Sequence, residues 1–79
     1  MKIKLEYTDA TSAAVERSEI EEENCKSIED SVKSLIERFP KDFSAANLDI
    51  ERVVVDGVDL GISGIYQAES ALAKFYTYD

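Results

Sequence analysis

The sequence predicts a small α+β domain, with a mixed or antiparallel sheet of four or five strands covered on one face by a single main helix. Three stretches predict it. Met1 to Thr8 alternates strictly between apolar and polar residues. Residues 25–39 carry one apolar stripe at helical spacing. Val53 to Leu60 holds two short apolar runs around Asp56-Gly57. With 79 residues, the chain is read as one domain, residues 1–79, near the lower limit for a single core.

In the first stretch Met1, Ile3, Leu5 and Tyr7 point one way and Lys2, Lys4, Glu6 and Thr8 the other. That is the period of a strand with one buried face. Asp9 to Ser12 suits a turn. Ala13 to Glu23 is ambiguous, because its large apolar residues, Val15 and Ile20, stand five apart. It is read as a second strand in a hairpin with the first, since short connections favour antiparallel neighbours. A polar helix is the alternative.

The main helix follows. Ile28, Val32, Leu35, Ile36 and Phe39 share its stripe, and Cys25 falls on the same side. Asn24 is a natural N-cap, while Ser27 with Asp30 offers a second start resembling a capping box. Glu29 and Asp30 suit the positive helix end and Arg38 the negative end. Pro40 stops the helix. Lys41 to Asn47 is a connection, with Phe43 its expected anchor. Leu48 to Ile62 is a hairpin whose two-residue turn is Asp56-Gly57. Its register sets Val55 opposite Val58 and Val53 opposite Leu60, all on the face under the helix.

The C-terminal part admits two readings. In the favoured one, a turn near Ile65 to Ser70 leads into a closing strand over Ala71 to Tyr78, where Phe75 to Tyr78 prefer strand. In the other, Ile65, Ala68, Leu72 and Phe75 share one side of a helix over residues 64–76, giving the order ββαββα.

The alternating start Met1 to Tyr7, the helix from Ile28 to Phe39, the Val53 to Leu60 hairpin and the run Tyr66 to Leu72 together resemble the layout of the β-grasp, the ubiquitin-like fold. The resemblance implies a sheet wrapped around one helix. The chain departs from the family's conjugated members and sulfur carriers at its end, Tyr76-Thr77-Tyr78-Asp79, which lacks their Gly-Gly tail. Transfer through the C-terminus is therefore not implied.

Seventeen acidic residues against nine basic ones give a net charge of −8. Direct nucleic-acid binding is not expected of such a chain, because phosphate contacts need lysine and arginine. Anionic membranes would repel it. If the charge has a role, the partner is a protein with a basic surface; otherwise it keeps the chain soluble. The N-terminal stretch has no unbroken apolar core of a signal peptide. No apolar run reaches the length of a membrane span. A cytoplasmic location is expected.

Catalytic chemistry is mostly excluded by composition. With no histidine, the chain lacks the commonest general base, nucleophile activator and zinc ligand. Gly57, Gly61 and Gly64 form no nucleotide fingerprint. Cys25 is the single cysteine, so no bridge within the chain is possible. A helix N-terminus and Lys26 would favour its thiolate, but its place on the apolar stripe favours a small buried residue. No cofactor or metal is expected, and the chain is read as not an enzyme.

The most distinctive feature is the acidic run Glu16, Glu19, Glu21, Glu22, Glu23, Glu29 and Asp30. These seven acids, against Arg17 and Lys26, give residues 16–30 a net charge of −5. Three readings stay open: a solvated face, a surface for a basic protein, and a calcium site that lacks the alternating ligand loop. Tyr76 and Tyr78 join the candidate partner-binding residues, because tyrosine is enriched at interfaces. The leading expectation is a non-enzymatic protein-binding protein. In its sharper form it is an inhibitor whose carboxylates occupy a partner's nucleic-acid-binding surface, as small viral anti-defence proteins do. The alternative is a ubiquitin-like adaptor that binds through sheet hydrophobics.

Overall fold

The structure, a computed structural model, describes residues 1–10, 15–39 and 47–75. Its elements run β1 (Ile3–Asp9), β2 (Glu16–Glu22), α1 (Ile28–Ile36), β3 (Leu48–Val55), β4 (Val58–Asp59) and α2 (Gly61–Ala73). The four strands form one antiparallel sheet in the order β2-β1-β3-β4. This is the ββαββα order, with a second helix following the hairpin. Both helices lie on the same side of the sheet as the core. α2 makes the broader contact with β3, and α1 packs mainly on α2 while reaching β1.

β1 keeps the alternation read from its sequence. Ile3 and Leu5 are fully buried, and Tyr7 packs half-buried at the margin of the core. Met1, expected on the same face, is 47% exposed. It lies beyond the first strand pair of β1, where Ile3 meets Glu22 and Val55. β2 contributes one buried side chain, Ile20, directly opposite Leu5. Val15 precedes the strand and is exposed.

β3 carries a bulge. Glu6 pairs with Arg52, but Tyr7 pairs with Ile50, so Glu51 is the extra residue. Leu48, Ile50 and Val53 can then all face the core, while Glu51 and Arg52 are both exposed. The Asp56-Gly57 turn has positive φ at both residues, 49° and 84°. That is the two-residue geometry which matches strand twist. The hairpin register is the expected one: Val55 opposes Val58, and the Leu60 N–H donates to the Val53 carbonyl at 3.0 Å. Val53 is buried, and Val55 and Leu60 pack against the core. Val58 is not under a helix as expected but 60% exposed, at the hairpin tip, two residues before the chain leaves the sheet.

α1 is shorter than the expected 25–39. It begins at the second of the two candidate starts: the Ser27 Oγ accepts from the Asp30 N–H at 3.2 Å. An Asp30 carboxylate oxygen accepts from the Lys26 N–H at 3.1 Å. Asn24 does not cap it. Cys25 remains buried but stands before the helix, exchanging backbone bonds with Met1. At the other end the Glu37 N–H bonds to the Lys33 carbonyl, and Arg38 lies past the last turn. Ser31, Val32 and Leu35 are the buried residues of α1.

α2 takes the expected turn at Ile65 to Ser70 and the first three residues of the expected closing strand, Ala71 to Ala73, and it starts three residues before the helix expected over 64–76. Gly64, Ala68, Ala71 and Leu72 form its buried stripe. The small residues matter here. A Cβ on Gly64 would stand 2.5 Å from the Leu60 Cβ and 3.2 Å from the Val53 Cβ, so this turn of helix lies directly on the β3–β4 hairpin. Burial of this stripe against β3 and α1 favours helix over 61–73. Phe43, the expected anchor of its connection, and Tyr76 and Tyr78, candidate partner-binding residues, lie outside the described residues.

Candidate partner-binding face

The sheet face away from the helices is charged, and strand register builds it. Residues opposite one another share a face, so Lys4, Glu6 and Thr8 of β1 stand beside Glu21, Glu19 and Arg17 of β2, with Lys2 just before the strand. On the other side they meet Val54 and Arg52 of β3. Lys2 lies 3.6 Å from Glu21, and Lys4 lies 3.5 Å from Glu19 and 3.8 Å from Glu6. Arg52 reaches both Glu6 and Asp59 at 3.5 Å. The Thr8 hydroxyl and the Glu51 carboxylate stand at 3.5 Å. A shallow depression over the bulge is walled by Glu6, Arg17, Glu51 and Arg52. These exposed pairs contribute little stability each, and salt screens them.

The acidic run does not form one surface. Glu19 and Glu21 are on the open sheet face, and Glu16 and Glu22 are on the helix side of the β2 edge. Glu22 lies 3.9 Å from Arg38. Glu23 is exposed in the turn after β2. At the helix start, Glu29 receives a hydrogen bond from the Lys74 ammonium of α2 at 3.0 Å, and Asp30 is engaged in the cap. Glu16 and Glu23 have no ion pair among the described residues. β2 thus holds four of the seven acids on one strand, three of them beside a cation, Glu19 with Lys4, Glu21 with Lys2 and Glu22 with Arg38.

Cys25 is 6% exposed. Burial pushes its thiol above the ordinary value of 9.0, and the carboxylates of Glu22 and Asp30 add to the rise. The N-terminal ammonium and the Ser31 hydroxyl pull less strongly the other way. A raised pKa and burial both favour the protonated thiol, the state of a packing residue. Among the described residues no group of three or more metal-ligating side chains comes together. No helix there is long and apolar enough to cross a membrane.

One feature absent from the sequence reading is the outer stripe of α2. Ile62 and Tyr66, four apart, are 86% and 73% exposed. Tyr66 borders a groove between the two helices with Ile28, Glu29, Ser70 and Lys74. Ile62 lies outside the helix expected over 64–76, so the pair shares a stripe only because α2 starts at Gly61.

This is a small α+β protein whose described residues form a four-strand antiparallel sheet with two helices on one face. No protein-family model, curated protein or solved structure matches the chain.

Proposed function

We propose that the protein is a non-enzymatic binding protein that docks on a basic surface of a protein partner. The observation that supports this is β2, an edge strand whose seven residues include Glu16, Glu19, Glu21 and Glu22, with Glu23 following. A strand places these carboxylates along a line about 20 Å long. The partner's lysines and arginines meet that line on either side of the strand. In its sharper form the docked surface is one the partner uses for nucleic-acid phosphates, and the protein acts as an inhibitor. The adaptor alternative, binding through sheet hydrophobics, has less support, because the open sheet face is lined mostly by charged side chains.

Affinity capture with the wild-type chain and with a Glu19→Gln/Glu21→Gln/Glu22→Gln/Glu23→Gln variant tests the reading. A basic partner held by the wild type should be released by moderate salt and missed by the variant. Added DNA or RNA should compete if the inhibitor form is right. A partner retained equally by both chains, or equally at high salt, overturns the proposal.

A further inference from the structure

The sheet has two open sides, and the chain treats them differently. β4 covers only the last residues of β3. Beyond it, α2 answers the exposed side of β3: a Glu69 carboxylate oxygen accepts the Ile50 N–H at 2.8 Å. Among the described residues the outer side of β2 has no such cover. Its residues are exposed apart from Ile20 and, in part, Glu22, and no described strand lies along it.

The ladder identifies which groups are turned outward. The Cys25 N–H bonds to the Met1 carbonyl, and the Asp56 N–H bonds to the Lys2 carbonyl. Odd residues of β1 therefore bond toward β2 and even residues toward β3. Glu16, Ser18, Ile20 and Glu22 are the residues of β2 opposite those odd positions. Arg17, Glu19 and Glu21 direct their N–H and C=O groups away from the sheet, over a span of about 14 Å.

We infer that this edge accepts an extended, lysine- or arginine-bearing segment of a partner protein as a further antiparallel strand. The inference rests on the proposed docking to a basic partner and specifies its mode. Charge selects the occupant. A second copy of β2 paired about Glu19 would set Glu19 against Glu19 and Glu16 against Glu22 at both ends, a repulsion that its two Arg17–Glu21 pairs offset only in part. A basic segment reverses the sign of these contacts. Its residues opposite Glu19 and Glu21 share the open sheet face with them. The residue opposite Ile20 lies on the core side and is best apolar.

The probe is the peptide Lys-Lys-Val-Lys-Thr-Thr-Lys, whose third residue falls opposite Ile20 in antiparallel register. Its second, fourth and sixth nitrogens then face β2, while its third and fifth face solvent. Methylating the first set should weaken binding by about tenfold or more, the loss of two or three hydrogen bonds at about 1 kcal/mol each. Methylating the second set should change it by less than about twofold. Bound peptide should also slow amide exchange at Arg17, Glu19 and Glu21. Equal effects of the two methylation patterns, with binding still lost in the glutamine variant, overturn strand addition and leave acidic docking standing. Binding that the glutamine variant retains in full, or no binding even at low salt, overturns both.

Discussion

Glu69 and Ile50 lie nineteen residues apart and are joined by one bond, from the Ile50 N–H to a Glu69 carboxylate oxygen at 2.8 Å. The bulge at Glu51 sets Ile50 opposite Tyr7, an odd residue that bonds toward β2, so the Ile50 N–H gets no partner from β1. β4 is too short to reach it. The bond ties α2 to the part of the sheet that would otherwise leave a half-buried donor without a partner.

Glu69→Ala should therefore destabilise the fold by about 1–3 kcal/mol, the cost of orphaning a partly buried donor of a charge-assisted bond. Glu69→Gln keeps an acceptor and should cost less. Urea denaturation measures both, and amide exchange at Ile50 should accelerate in the alanine variant ahead of its neighbours. A stable alanine variant with unchanged Ile50 exchange would show that the bond does not anchor α2.

Gly64→Ala is a second case. Alanine favours a helix over glycine by about 1 kcal/mol. Here the added methyl would enter the space of the Leu60 Cβ at 2.5 Å. The net outcome should be a loss of about 1–3 kcal/mol, because backbone or hairpin must shift. A higher melting temperature would contradict the close approach of α2 to the hairpin.

Ser31 is fully buried on α1, and its hydroxyl makes no hydrogen bond of ordinary geometry among the described residues. The Cys25 thiol beside it is a weak partner. Ser31→Ala removes a polar atom that has lost its water and adds a better helix former. Stability should rise by about 0.5–1 kcal/mol. A drop of similar size in thermal or chemical unfolding would mean that the hydroxyl is satisfied.

The raised Cys25 pKa gives a pH dependence whose sign is fixed. The folded state holds the thiol proton more tightly than the unfolded state, whose thiol keeps its ordinary value of 9.0. This contribution to stability is complete below that value and is lost as pH rises toward the folded pKa. Denaturation midpoints should fall above about pH 9 in the wild type, and less so in Cys25→Ala. At neutral pH, a thiol reagent should react no faster than the chain opens. Prompt stoichiometric labelling of the folded protein would refute the buried, protonated state.

β1 and the Asp56-Gly57 turn were legible because each rests on a local rule, period-two alternation and a residue pair suited to positive φ. The start of α1 was legible only as a choice between Asn24 and Ser27. Ser27 prevails because Asp30, three residues on, returns a bond to the Lys26 N–H, while Cys25 is held by Met1. The bulge had a sequence signature, the inward residues Leu48, Ile50 and Val53, whose spacing changes from two to three. α2 was the less favoured reading because Phe75 to Tyr78 carry strand preference, whereas packing of Gly64, Ala68 and Leu72 depends on elements distant in sequence. The candidate site was legible as charge but not as geometry. That Lys2 and Lys4 stand against Glu21 and Glu19 follows from strand register, which no local pattern encodes.

The place of β1 at the middle of the sheet also governs the order in which the chain can be completed. Ile3 meets Glu22 on one side and Val55 on the other. During synthesis from the N-terminus, the first strand acquires one neighbour early and waits for the second until residue 55 has emerged. The stripe of α2 that covers β3 arrives last. Throughout that interval the nascent hairpin exposes Ile3, Leu5 and Ile20. Chain collapse is therefore expected late and nearly all at once, with nascent chains ending before residue 55 remaining sensitive to protease.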